Sequence, residues 1–484
     1  MSGWMELYNT LVHKKSGFKA IRQKEIRMYS CGPTVYNHAH VGNFRAYIVS
    51  DTLRRVFEHL SYKVTHVMNI TDVGQLVGDG NLGEDKLKQT ARIEHKSAKE
   101  VAREYERLFI KDIKKLNIEM PSVIARATDH IPQMLNLIEK LDKKGYLYRA
   151  ETGMYFDTSK FGDYGKLSGS DFKRLNASLM GGARVERPAG TRNITDFAVW
   201  RFSPADEKEM VWDSKYGRGF PGWHIECSAI SMEYLGDHFD VHTGGVDHIQ
   251  IHHQNEIAQS EGATGKKFVN FWVHNEFLKV NGSKMSKSLH NTYTIEDLEG
   301  MGISPQGYRY FVLTGHYRSI MNMTVDALKS AQRTIESIYS FIERISGSMP
   351  EGVPEKEFGA EIKKLGQEFF RRMEDDMNTP EALASMHALI SIANKRNASR
   401  KLSNGDRDAV VAVLLEMDGV LGLSFKEHTA TKPLSAEPRR LIEEREYARK
   451  SGDFGSADEI RRELRDRFGI IVEDTKDGPQ WRRK

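Results

Sequence analysis

The chain has 484 residues, 39% hydrophobic and 29% charged, the composition of a folded protein with material for about three domains. Its two cysteines, Cys31 and Cys227, exclude a disulfide-stapled scaffold and leave three options open: one disulfide, two core thiols, or two thiolate ligands. A net charge of +4, from 71 Lys+Arg against 67 Asp+Glu, excludes a histone-like polycation and permits a nucleic-acid partner without demanding one.

The opening residues, MSGWMELYNT, hold no basic segment leading into an apolar run, and nothing approaches the roughly 18 consecutive apolar residues of a membrane span. The expectation is a protein of the reducing cytoplasm, without signal peptide or membrane. Ile26 to Cys31 reads as a short strand ending in Gly32-Pro33, and Val49, Leu53, Val56, Phe57 and Leu60 recur at helical spacing. Lys63 to Ile70 reads as a second, largely buried strand. Strand, helix, strand predicts a βαβ unit in a parallel sheet, with ligands outside the strands' carboxyl ends, where Cys31 and Thr71 fall.

Residues 119–211 read as an insertion, with a helix from Ile131 to Leu147 and then the Gly- and Arg-rich run SLMGGARVERPAGTR. Strands return in FDVHTGG, followed by a turn, and in FVNFWVHN. From residue 325 the pattern is helical, broken at Pro350, Gly352 and Pro354, and helical again to residue 422. A linker near 428–438 precedes a tail with helices Pro438 to Lys450 and Ser456 to Arg467 and a strand in FGIIVE.

Gly78-Asp79-Gly80-Asn81-Leu82-Gly83 has the letters of a dinucleotide fingerprint without its setting. It lies well past the strand end, and Asp79, Glu84 and Asp85 would repel phosphate, so an acidic loop is expected. His40-Val41-Gly42-Asn43 follows a strand and opens a helix. Gly42 would let a nucleotide lie against the backbone while His40 and Asn43 supply donors beside the helix N-terminus, though an ordinary turn would use the same residues. Lys284-Met285-Ser286-Lys287-Ser288 sets two lysines among hydroxyls, suited to clamping phosphates and neutralising departing pyrophosphate; the bland counterpart is a solvated basic loop. In this order the two segments resemble the HIGH and KMSKS signatures of class I aminoacyl-tRNA synthetases.

GWHIECS, HTGGVD and HHQNE follow one another from Gly222 to Glu256. His252 and Glu256, four apart, share a helix face, and with Cys31 and Cys227 they compose a Cys₂-His-Glu set that suits tetrahedral zinc. His248 extends that face and competes as a ligand, as does His253, and 18 histidines also produce such pairs by chance.

Beyond these, YNTL, CGPTVYNHAHVGN, NITD, PGWHIECSAI, the HTGGVD to HHQNEIAQ run, KMSKS, DDMNTPEAL and the tail from YARKSGDFGSADEIRREL to GIIVEDTKDGPQW occur in order. Across nearly its whole length the chain resembles the cysteinyl-tRNA synthetase family. It departs from the family pattern at Asn43, which stands for the last histidine of HIGH, at Ile251, which stands for a proline, and in a longer acidic loop over 73–86.

The resemblance implies an α/β fold: a Rossmann-like parallel-sheet catalytic domain in two halves, 1–118 and 212–260, split by a connective insertion at 119–211. A stem-contact region with the KMSKS loop (261–324), a helical-bundle tRNA-binding domain (325–422) and a small mixed anticodon-binding domain (423–484) would follow. It implies one zinc held by Cys31, Cys227, His252 and Glu256, with position 248 not a ligand; the substrate thiolate would be a fifth ligand, separating cysteine from serine without an editing domain. By the same resemblance His40, Gly42 and Asn43 meet the ATP phosphates, Gly244 and Asp247 the nucleoside, Lys284 and Lys287 the pyrophosphate, and Thr71 and Trp223 close the amino-acid pocket. The implied reaction joins L-cysteine to ATP, with Mg²⁺, as an adenylate, then passes cysteine to the 3′-terminal adenosine of tRNA(Cys). A cytoplasmic monomer is expected, with Trp481, Arg482, Arg483 and Lys484 offering stacking and phosphate contacts to RNA. Three rivals fit less well. The cysteine ligase of mycothiol synthesis lacks the tail, an inactive tRNA-binding paralogue would not need an intact KMSKS, and a zinc hydrolase leaves KMSKS unexplained.

Overall fold

A computed structural model of the chain describes residues 5–74, 86–170, 190–285, 291–348, 350, 352–429, 436–475 and 478–483. The chain divides into two units: Met1–Gln332 with Phe370–Leu383 and Gly419–Gly422, and Arg333–Phe369 with Ala384–Asp418 and Leu423–Lys484. In the first, the antiparallel pair β1 (Glu6–Asn9) and β2 (Lys14–Gly17) precedes the βαβ unit that the hydrophobic spacing predicts. β3 (Glu25–Ser30) runs parallel to β4 (Lys63–Ile70), from Glu25 opposite Lys63 to Ser30 opposite Met68, and α1 (Val41–His59) connects them. The last four residues of β4 are all buried, as in a strand covered on both faces. α1 buries Phe44, Ile48, Leu53, Val56 and Phe57, and the chain turns back at Ser61, which is left-handed (φ 65°).

α2 (Lys86–Glu94) and α3 (Ala98–Lys115) lead to β5 (Val123–Arg126), which pairs parallel to β4. α4 (Ile131–Lys143) is shorter than the helix expected to reach Leu147, because Gly145 takes up a left-handed conformation (φ 76°) and Leu147 opens a strand. An antiparallel sheet follows in the order β6 (Leu147–Ala150), β7 (Gly153–Phe156), β8 (Phe197–Phe202), β9 (Gly219–Pro221). Of the stretch 119–211 read as an insertion, residues 123–126 therefore sit in the main sheet, while the antiparallel sheet closes only at Pro221. The glycine-spaced acidic loop at 78–83 and residues 178–189 of the Arg-rich run lie outside the described residues.

α5 (Trp223–Leu235), β10 (Phe239–Gly245), α6 (His252–Thr264) and β11 (Val269–Asn275) complete a five-stranded sheet, parallel throughout, in the order β11-β10-β3-β4-β5. The chain leaves β3 for β4 on one side and returns as β10 on the other, so the switch in strand order lies between β3 and β10. Open parallel sheets bind ligands at the carboxyl ends of such strands. Tyr29, Val67, Ile225, Ile230, Phe239 and Trp272 share one core with Leu137, Ile138 and Leu141 of α4.

β12 (Leu278–Val280), β13 (Ser283–Lys284), α7 (Ile295–Gly300), α8 (Pro305–Leu313) and β14 (Met321–Met323) come next. β12 and β14 are parallel, and β13 folds back antiparallel on β12. The later chain is helical as its periodicity predicts: α9 (Val325–Ser346), α10 (Lys356–Glu374), α11 (Thr379–Ala398) and α12 (Asn404–Leu421). In the second unit α13 (Ala436–Lys450) and α14 (Phe454–Phe468) join a hairpin of β15 (Ile470–Thr475) and β16 (Gly478–Arg483) around Leu441, Ile442, Leu464, Ile470 and Val472. Trp481 to Arg483 thus lie in a paired strand, with Trp481 opposite Val472. No helix among the described residues is long and apolar enough to cross a membrane.

Candidate active site

The N-terminus of α1 opens at the switch point. His40 caps it: its Nδ1 accepts from the Asn43 N–H (3.3 Å), while Asn43 Oδ1 accepts from the His40 N–H (3.0 Å). This reciprocal cap satisfies two helix-end donors and orients both side chains. A Cβ built on Gly42 would lie 2.3 Å from Met285 Cε, so the bare glycine lets the methionine's tip settle here, and the start of KMSKS packs on the HVGN turn. Val41 N donates to Tyr293 O (2.8 Å), and the Tyr308 hydroxyl donates to Val41 O (2.6 Å), holding the chain beyond the loop to the same helix end. Lys284 is exposed, with its ammonium 5.1 Å from the Phe277 ring centroid. Lys287 lies outside the described residues.

Cys31, Cys227, His252 and Glu256 converge, their ligand atoms all within 4.8 Å of one another. The two Sγ atoms are 4.0 Å apart, about twice a disulfide bond length, which removes the disulfide from the three options for the cysteines. Cys227 lies in the second turn of α5, a helix so buried that His224 to Ser231 are all inside. One expectation is corrected. His248 does not extend the face of α6: it closes a separate 3-10 turn, Val246–His248, and the helix begins only at His252.

Charge is concentrated in this cluster. Burial would raise the Cys227 thiol, but contact with Cys31 and the charge of His252 outweigh it and bring it down to about 6. Burial would lower His252, yet the Cys227 thiolate and Glu256 carboxylate push it up to about 10. Glu256, which burial alone would raise, is held down to about 2 by His242 and His252. Two anions thus surround one cationic imidazole, an arrangement in which a divalent cation can replace the proton. Two sulfurs, one nitrogen and one carboxylate oxygen make a donor set that fits zinc. Cys31, His242, His253 and Glu256 form a second such group, sharing two members.

Around the cluster stand His253, named from the sequence as a competing ligand, and three histidines that the sequence reading gave no role: His224, His242 and His274. His242 Nε2 lies 2.9 Å from Glu256 Oε2 and orients that carboxylate. His253 Nε2 lies 3.3 Å from Cys31 Sγ, and its Nδ1 lies 2.7 Å from His274 Nε2. His224 and His252 approach at 3.0 Å through their Nδ1 atoms. Burial drives His224, His253 and His274 toward the neutral form. A Cβ on Gly244 would stand 2.5 Å from His253 Cε1 and 2.9 Å from His248 Nδ1, so the bare backbone lets both rings close in at the end of β10. Asp247 is exposed just beyond.

Thr71, buried directly after β4, donates its hydroxyl to Glu226 Oε2 (2.9 Å) and accepts from Asn69 Nδ2 (3.0 Å). Glu226 is fully buried, its other oxygen has no hydrogen-bond partner among the described residues, and burial raises its carboxyl well above the ordinary range. Trp223 opens α5, half-buried, with its ring 4.3 Å from that of His252. Thr71 and Trp223 are thereby brought to the four-residue cluster, one through the neighbour of Cys227 and one against His252.

Three family models match in succession: tRNA synthetases class I (C) catalytic domain at residues 17–333, DALR domain at 368–426, and Cysteinyl-tRNA ligase anticodon binding domain at 431–482. A cysteine–tRNA ligase of Treponema denticola is 40% identical over 504 residues, covering 99% of each chain. One of Burkholderia lata is 42% identical over 477 residues, covering 98% of this chain and 96% of its own. Methionyl-tRNA synthetase of Mycobacterium tuberculosis, solved with methionyl-adenylate bound, superposes with a TM-score of 0.60 at 17% identity, over 86% of this chain and 94% of that one, a likeness of fold. With all three segments matched in order and end-to-end identity of this size, the chain belongs to the cysteine–tRNA ligase family of class I aminoacyl-tRNA synthetases.

Proposed function

We propose that the chain activates L-cysteine with ATP and transfers it to the 3′-terminal adenosine of tRNA(Cys), as a cytoplasmic monomer. The observation that carries this reading is the Cys31, Cys227, His252, Glu256 cluster, in a chain of this family whose Cys31 directly follows the strand that leads to the HVGN turn. The substrate carboxylate is already ionised near neutral pH, so no general base is required, and the residues have to orient it and stabilise departing charge.

Because His40 Nδ1 accepts from the helix backbone, the neutral imidazole carries its proton on Nε2, a donor for a phosphate oxygen. Asn43 uses its carbonyl in the cap, which leaves its amide hydrogens for the same task. The helix N-terminus adds its partial positive charge. Gly42 and Gly244 keep the backbone bare where the nucleotide lies, Asp247 meets the nucleoside, and Lys284 and Lys287 neutralise pyrophosphate as it leaves. Mg²⁺ would enter with ATP as part of the substrate, adding charge compensation to that of the two lysines, rather than as a resident of the protein. Cys31, Cys227, His252 and Glu256 would hold zinc, which bound there supplies a soft acid that favours a thiolate over a hydroxyl. Thr71 and Trp223 close the amino-acid pocket, with Glu226 fixing the Thr71 hydroxyl. The tail reads RNA, where Tyr447 (78% exposed) and Phe454 (63%) offer stacking surfaces within the segment that matches the anticodon-binding model.

Cysteine-dependent exchange of pyrophosphate into ATP, followed by charging of tRNA(Cys), tests the proposal. Exchange with cysteine and none with serine is expected; no exchange, or equal exchange with both, sinks it.

A further inference from the structure

Arg45, two residues beyond Asn43 on α1, is 1% exposed, yet no described carboxylate pairs with it. Its guanidinium donates instead to five main-chain carbonyls. Nη1 reaches Glu276 O and Phe277 O at 2.6 Å each, and Nη2 reaches Ser319 O at 2.6 Å and His316 O and Tyr317 O at 3.3 Å each. Burial pulls the group down to about 10, a penalty on the cation that these bonds must offset.

The five carbonyls belong to two short segments with one thing in common. Glu276-Phe277 leads directly into β12, and residues 316–319 lead into β14, the parallel strands of the three-stranded sheet. β13 hangs on β12, with Lys284 opposite Lys279. Arg45 therefore grips the entry end of β12, on which the β13 residue Lys284 is paired, and that of β12's other neighbour β14, from the helix whose first turn holds His40 and Asn43. The second segment is pinned from its other side. Asp376, 2% exposed, accepts from the Tyr317 hydroxyl (2.5 Å), from Arg318 Nε (2.8 Å) and from Tyr8 N (2.8 Å).

We propose that Arg45 is a positioning residue for nucleotide activation: by clamping these strand entries it sets Lys284 and Met285 beside the N-terminus of α1. This deepens the proposed function and rests on it. The planar fork of arginine serves two segments at once, whereas a lysine offers three donors from a single point.

The test is Arg45→Lys in the full chain, read by cysteine-dependent pyrophosphate exchange and by hydrogen exchange of the amides in 278–285. A kcat lower by about a hundredfold, a raised ATP KM, an unchanged cysteine KM and faster amide exchange confined to 278–285 are expected. Unchanged kcat and ATP KM, or equal rises in both KM values, would overturn the proposal. If Arg45→Lys does not fold, Asp376→Asn, which frees 316–318 from the opposite side, must show the same split in milder form; its absence overturns the proposal too. An unsubstituted chain without exchange defeats the proposed function instead, and the amide-exchange comparison still decides whether Arg45 clamps the hairpin.

Discussion

At the scale of single residues, Cys31 and Thr71 were legible because each directly follows a short stretch, EIRMYS or KVTHVMNI, whose aromatic, β-branched and other apolar residues mark a strand. Cys227 was legible as a ligand through its motif but not in its setting. α5 is buried nearly all round, polar Glu226 and Ser228 included, so no apolar stripe marks it as a helix. The histidines 224, 242 and 274 were invisible for a related reason: they come from three separate elements and meet only once the sheet is assembled. A sharp consequence attaches to Cys227→Ser. A serine hydroxyl stays protonated and is a harder donor, so the variant is expected to lose most of its zinc and its preference for cysteine over serine. Metal analysis of the purified variant checks this. A full equivalent of zinc would point to the overlapping group of Cys31, His242, His253 and Glu256.

Among elements, α1 is the best determined, and the reasons extend beyond its cap. Asp51 is 2% exposed and accepts from Arg55 Nε (2.8 Å), from Glu119 N (2.8 Å) and from Arg309. Arg309 is fully buried and also donates to Leu421 O (2.6 Å) and Leu116 O (3.0 Å). Burial would raise Asp51, but Arg309 and Arg55 outweigh it and hold its carboxyl below the ordinary range. A folded-state pKa below the unfolded one, about 3.9, means this stabilisation is complete above that pH and is lost as pH falls through the lower folded value. Asp51→Asn should therefore destabilise the chain by about 3–5 kcal/mol near pH 7, because it strands a buried guanidinium. Its deficit in thermal melting should shrink below about pH 4, where the carboxyl of the unfolded, unsubstituted chain begins to protonate while the folded one stays ionised. A deficit constant from pH 7 to pH 3 would show that charge is not the cause. The βαβ unit and β10 and β11 were readable from short stretches enriched in aromatic and β-branched residues. β16 was not, since GPQWRR has neither alternation nor an apolar run and is a strand because β15 pairs with it.

Over the whole molecule, the order of motifs carried the family from the first strand to the tail, and the matched segments follow the same order. What the sequence could not convey is how late its central sheet closes. Ser30 of β3 stands opposite Thr243 of β10, 213 positions further on. At ribosomal rates of about 5–20 residues per second, roughly 10–40 s pass between the emergence of these two neighbours. During that interval one edge of β3 is an open row of hydrogen-bonding groups on an apolar strand, which is the hazard natural sheets otherwise conceal. Trypsin acting on ribosome-arrested chains can time its closure. Cleavage after Arg27 is expected in chains arrested before Phe239 emerges and protection once Asn275 is out, whereas protection at the earlier arrest would mean that β3 and β4 shield each other without β10. The first-made strand of the central sheet is thus among the last to be fully enclosed, and the window in which the newborn chain is open to misassembly is set by the length of everything inserted between two adjacent strands.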